Sequence, residues 1–91
     1  MATAGIQFKI MPDGLGTNLE QLKKKLKKAT ESFESGVFND VKEEPIAFGL
    51  KALIVTIALS ESEESDAVEK AFSEIKGVSS VELIDYRRAI G

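Results

Sequence analysis

The sequence predicts an α+β sandwich: one four-stranded antiparallel sheet with two helices on one face. Three observations predict it. Alternating apolar and polar residues open the chain, two stretches carry apolar residues at helical spacing, and the segments fall in the order β-α-β-β-α-β. Each helix then links two strands, so two right-handed βαβ-like halves share one sheet.

Residues 5–11 form the first strand, with Ile6, Phe8 and Ile10 on one side and Gln7, Lys9 and Met11 on the other. Turn residues 12–16 (Pro-Asp-Gly-Leu-Gly) end it. Thr17-Asn18-Leu19-Glu20 matches a capping box with Thr17 as the cap. Leu19, Leu22, Leu26, Ala29 and Phe33 make the apolar face of the helix that follows, and Lys23, Lys24, Lys25, Lys27 and Lys28 its polar face. Gly36 closes the unit. Residues 37–43 alternate poorly and suit a sheet edge, ended by Pro45, which lacks a ladder N–H. Residues 47–59 are apolar at nearly every position, as in a central strand.

The acidic stretch 60–66 starts the second helix, with Ser62 as its cap and Glu63 and Glu64 in its first turn. Ala67, Val68, Ala71, Phe72 and Ile75 are its apolar face, and Lys76-Gly77 its stop. Residues 78–86 are the last strand, with Val81, Leu83 and Asp85 on one side and Glu82, Ile84 and Tyr86 on the other. Phe8, Phe33, Phe38 and Phe72 belong in or near the core. The order is that of the ferredoxin-like arrangement, with the second sheet face left for solvent or a partner. The lysines of helix 1 and the acidic start of helix 2 are expected to balance one another on a solvated surface.

Ninety-one residues make one small domain, and 43% hydrophobic with 30% charged residues is a globular composition. There is no Cys and no His. That removes disulfides, the commonest zinc sites, Ser-His and Cys-His nucleophile pairs and the usual neutral-pH base. The carboxylates at 61, 63, 64, 66 and 69 lack the spacing and glycine of a calcium loop and read as a solvated helix start. Adjacent Glu43 and Glu44 point to opposite faces of a strand, so they are no acid/base pair. No cofactor or metal is expected. A net charge of −3 argues against general nucleic-acid affinity. No signal peptide or spanning segment is read, so a soluble cytoplasmic protein is expected.

Four short motifs, in the right order on this fold, resemble the archaeal elongation factor 1-beta family and the C-terminal exchange domain of the eukaryotic factor. They are Lys9-Ile10-Met11-Pro12, Leu19-Glu20-Gln21-Leu22-Lys23, Glu43-Glu44-Pro45-Ile46-Ala47-Phe48-Gly49-Leu50, and Gly77-Val78-Ser79-Ser80-Val81-Glu82 continuing to Asp85-Tyr86-Arg87-Arg88. The resemblance implies that residues 1–91 are a single guanine-nucleotide exchange domain. Its partner would be the GTPase elongation factor 1-alpha, bound by a chain that is monomeric when free and needs no covalent chemistry of its own.

The resemblance also implies partner-binding residues. Phe48 matches a family aromatic that touches the GTPase, although the same ring could instead begin the core of strand 3. Pro45, with Gly49, would set the corner that aims it. Arg87 and Arg88 are the only arginines in the chain. Counted from Val81, Arg88 matches a lysine that in eukaryotic members enters the Mg²⁺ region of the GTPase, and Tyr86 matches the aromatic two residues earlier. Arg differs from Lys in being a planar fork, so the mode of insertion can differ. An acylphosphatase on the same fold would need an arginine in the loop after strand 1, where residues 12–16 have none. An RNA-recognition surface would need aromatic and basic residues on the central strands, which offer Phe48 and Lys51.

Overall fold

The computed structural model describes residues 3–89. The predicted order holds: β1 (Thr3–Pro12), α1 (Leu19–Glu31), β2 (Val37–Pro45), a short 3₁₀ turn (Ala47–Gly49), β3 (Lys51–Ser60), α2 (Ser65–Ser73) and β4 (Val78–Ala89). The four strands form one antiparallel sheet in the order β2-β3-β1-β4. β2 is therefore an edge, as its weak alternation predicts, and β4 is the other.

Alternation decides which side is covered. Ile6, Phe8 and Ile10 of β1 and Leu53, Val55, Ile57 and Leu59 of β3 point to the helices and are fully buried. Leu22 and Leu26 of α1 and Val68 and Phe72 of α2 close over them. Phe8 and Phe72 meet edge to face, with centroids 5.4 Å apart, the arrangement the ring quadrupoles favour. Phe33 and Phe38 pack at the margin of this core. The opposite face carries Gln7, Lys9, Ile54 and Thr56, all half-buried and uncovered by any described element.

Several local expectations are corrected. Asn18, not Thr17, caps α1: its Oδ1 accepts from Gln21 N at 3.1 Å, while Thr17 Oγ1 donates to Asp13 at 2.8 Å. Both residues are cap formers, and Asp13 draws Thr17 back to the turn. Ser62 does not cap α2. It pairs with Ser60 Oγ, and the helix begins at Ser65 after Glu64, which makes no side-chain cap bond. α2 also ends at Ser73, ahead of Lys76-Gly77. β3 starts only at Lys51, because residues 47–49 turn. β2 runs two residues past the expected 43 and ends at Pro45 as read, opposite Lys51 on the sheet edge, where its missing N–H costs the ladder nothing.

The last strand departs most. β4 runs on to Ala89 and not only to Tyr86, so Arg87 and Arg88 are strand residues opposite Gly5 and Ala4. The register shifts between Gln7 and Phe8, leaving Ile84 without an opposite residue. This β-bulge inverts the alternation beyond it. Val81 and Leu83 face the helices as read, but Asp85 lies opposite Gln7 on the open face and Tyr86 opposite Ile6 on the helix side.

Candidate partner-binding site

The β2–β3 hairpin is built around a strained residue. Ile46 N donates to Leu50 O at 2.8 Å and Leu50 N to Ala47 O at 3.2 Å, which pinches the chain into a tight turn. Its two central residues, Phe48 (φ 60°, ψ 31°) and Gly49 (φ 77°), are both in the left-handed region. That is the pattern of a type I′ turn, normally made by Asn-Gly or Gly-Gly. Gly49 is at ease there. Phe48 is the only non-glycine residue with positive φ among those described, and a side chain there costs roughly 1–2 kcal/mol.

That strain yields no packing within the chain. The Phe48 ring is 92% exposed. The question left open by the sequence is thus answered against the core: the ring projects from the hairpin tip. Leu15 of the β1–α1 turn is 72% exposed and lies against Gly49, where an added Cβ would be 3.6 Å from Leu15 Cδ2. Between the two loops runs a recess of about 220 Å³ lined by Pro12, Leu15, Leu19 and Leu50 among others. Periodicity does not mark Leu15. An isolated leucine in a Gly-rich turn is the one signal it leaves in the sequence.

Tyr86, Arg87 and Arg88 lie elsewhere. Leu59 is opposite Ala4, and Ala4 is opposite Arg88. From Lys51, at the base of the Phe48 hairpin, to Leu59 is eight steps of about 3.3 Å, or roughly 26 Å. Pro45 and Phe48 therefore share one end of the sheet, while the Tyr86–Arg88 segment occupies the other. The bulge also splits that segment. Tyr86, partly exposed, and Arg88 face the helix side, and Arg87 faces the open side beside Asp85.

Both arginines have internal partners. Arg87 Nε donates to Asp85 Oδ2 at 3.0 Å, and Arg88 Nε lies 2.7 Å from Glu61 Oε1 in the β3–α2 turn. Sequence reasoning places Glu61 on a solvated helix start. No linear signal marks its pairing, which depends on the bulge at Ile84. The lysine face of α1 is balanced differently from expectation as well. Lys23 Nζ binds Glu43 at 2.8 Å and Glu20 at 3.3 Å, and Lys51 Nζ lies 3.5 Å from Glu43. Among the described residues no ion pair joins α1 to α2. The hydrogen bond from Lys23 holds the Glu43 carboxyl below its ordinary pKa and raises that of Lys23. Glu43 is thus engaged internally, and Glu44, opposite Ala52, is exposed on the other face.

The described residues contain no cluster of three or more His, Cys, Asp or Glu able to hold a metal ion, and no helix long and apolar enough to cross a membrane. With Phe48 moved from β3 to the hairpin tip, the open face of β1 and β3 carries no aromatic ring.

Comparison with known proteins agrees with this fold. A family described as the EF-1 guanine nucleotide exchange domain matches residues 5–88. Elongation factor 1-beta of Methanosarcina barkeri is 39% identical over 89 residues, covering 97% of this chain and 99% of that protein. Elongation factor 1-beta of Methanothermobacter thermautotrophicus is 40% identical over 82 residues, covering 89% and 90%. Among solved structures, the ACT domain from the GTP pyrophosphokinase of Chlorobium tepidum superposes with a TM-score of 0.57. It covers 92% of this chain and 100% of that one at 14% identity, a likeness of fold alone.

Proposed function

Because this chain belongs to the EF-1 guanine nucleotide exchange domain family, we propose that it docks on the GTPase elongation factor 1-alpha and accelerates GDP release by disturbing the Mg²⁺ and phosphate site. Residues 1–91 act as one exchange domain. The observation that carries this reading is Phe48: an aromatic ring held by a strained backbone, 92% exposed at a hairpin tip. Strain retained without internal packing is what a binding anchor requires.

Phe48, aimed by Pro45 and flanked by Leu15, anchors one end of the domain in an apolar site of the GTPase. Arg88, with Tyr86 beside it on the same face, acts at the other end. A guanidinium brought to the Mg²⁺ region competes for the carboxylate and phosphate oxygens that hold the ion. Arg87, on the open face, adds charge attraction. A factor that binds the empty GTPase more tightly than the loaded one must weaken nucleotide binding by the same ratio. The task makes and breaks no covalent bond, so a chain without His or Cys suffices.

Stopped-flow release of a fluorescent GDP from the cognate elongation factor 1-alpha tests this. The wild-type chain should accelerate release, and Arg88→Ala should accelerate it far less. A wild type without effect would overturn the function. A normal Arg88→Ala would overturn the role of Arg88.

A further inference from the structure

The Arg88–Glu61 pair is unequal. The Arg88 side chain is 77% exposed and that of Glu61 only 27%. Glu61 Oε1 is closed off from solvent and, among the described residues, accepts no well-directed hydrogen bond. Arg88 Nε, 2.7 Å away, is its charge partner. The turn that carries Glu61 is fastened. Ser60 N donates to Ser35 Oγ at 3.0 Å, Ser35 N donates to Glu63 Oε1 at 2.8 Å, and Ser35 Oγ also bonds Glu63 Oε1. Glu63 N closes the turn on Ser60 O at 3.0 Å. A carboxylate is thus set in a fixed turn with one oxygen turned from water toward a guanidinium that reaches outward.

We propose that Glu61 is a positioning residue for Arg88: as its charge partner it holds the Nε side of the guanidinium and thereby aims the rest of it at the GTPase. The proposal rests on the reading that Arg88 acts in exchange. Two physical points carry it. A free arginine side chain has about 2 kcal/mol of rotamer entropy to lose on docking, and a preset side chain loses less. Removing Arg88 from Glu61 would leave a sheltered carboxylate oxygen without a charge partner, which is costly, so the pair persists when the partner arrives. Arginine can serve both sides because its charge is spread over a planar fork: the Nε side stays against Glu61 while the two terminal nitrogens keep their N–H donors for the GTPase. Lysine presents a single ammonium, which Glu61 and the GTPase would have to share.

A double-mutant cycle in the GDP-release assay tests it, with Glu61→Gln, Glu61→Asp, Arg88→Ala and the Glu61→Gln/Arg88→Ala pair on the full chain. Glu61→Gln should lower the maximal exchange rate about fivefold, the ratio that ~1 kcal/mol of pair energy sets, with the half-saturating GTPase concentration nearly unchanged. Glu61→Asp, which keeps the charge, should recover part of the rate. In the Arg88→Ala background Glu61→Gln should do nothing more, because it acts through Arg88. An unchanged rate for Glu61→Gln beside a slow Arg88→Ala overturns this inference and leaves the role of Arg88 standing. An equal loss in both backgrounds also overturns it. A normal Arg88→Ala overturns the role of Arg88 and the inference with it. Circular dichroism and melting of each variant separate these outcomes from misfolding.

Discussion

Replacing Phe48 with asparagine should raise stability and weaken docking in the same molecule. The ring is 92% exposed. For a side chain that can bury about 200 Å², the missing 8% is about 16 Å², or about 0.4 kcal/mol at about 25 cal/mol per Å². The left-handed backbone at φ 60° costs a phenylalanine roughly 1–2 kcal/mol, most of which asparagine avoids. An Asn-Gly pair in place of Phe48-Gly49 is also the preferred one for this turn. The difference favours the variant by about 0.5–1 kcal/mol, a rise in Tm of about 2–8 °C for a domain of this size. Losing an aromatic anchor costs about 2 kcal/mol of binding, so the half-saturating GTPase concentration should rise about 30-fold. Thermal melting and a GDP-release titration read the two quantities independently. A Tm lower than wild type would show that the ring packs on this chain after all. Unchanged half-saturation would show that the GTPase never meets it.

Other perturbations test the frame around that site. Gly36→Ala should cost about 2 kcal/mol or more in denaturant unfolding, because a Cβ there would lie 2.1 Å from Thr30 O, a backbone atom that cannot swing aside. Phe72→Ala removes the ring that meets Phe8 edge to face and should cost about 3–5 kcal/mol, a loss that leaves m unchanged if only packing fails. Arg87→Ala should raise the half-saturating GTPase concentration at low salt, with the effect fading as salt screens an exposed charge, while the maximal exchange rate stays the same. Glu43 has its pKa depressed from 4.5 by Lys23, so its contribution is present above 4.5 and is lost as pH falls through the lower folded value. Lys23 is raised above 10.5, so its side of the pair is lost only in strong alkali. Melting temperature should therefore fall on acidification below about 4.5, and Glu43→Gln should flatten that fall.

Much of the fold was legible because it rests on short-range periodicity. Ile6, Phe8 and Ile10 declare a half-buried strand, and Leu22 and Leu26 a helix face, whatever the rest of the chain does. What escaped depends on pairing across the sheet. Nothing near Ile84 in the sequence announces that β4 carries one residue more than its neighbour, yet that extra residue decides which faces Tyr86, Arg87 and Arg88 occupy. The apolar run from 47 to 59 hid a turn for a different reason. Phe and Ala are not turn residues by composition, and only Gly49 marked the place where positive φ was needed. The family motif pointed to Phe48 but left its ring free either to begin the core of β3 or to reach a partner, and only the hairpin shows it exposed.

The two proposed contacts, roughly 26 Å apart along the sheet, impose a demand that a single pocket would not. One end can hold the GTPase while the other acts at the Mg²⁺ site only if the distance between them is fixed. A soft linker would let the anchor bind without delivering the cation. Here the spacer is β3, the strand buried on its core face at Leu53, Val55, Ile57 and Leu59 and hydrogen-bonded on both edges to β2 and β1. It is among the least deformable paths across a domain this small. Each end of the spacer carries its own restraint: a left-handed turn under Phe48 and a fastened acidic turn against Arg88. Affinity and rate should accordingly separate by position, with hairpin changes moving half-saturation and Arg88 changes moving the maximal rate. Core changes such as Phe72→Ala, which loosen the spacer, should move both.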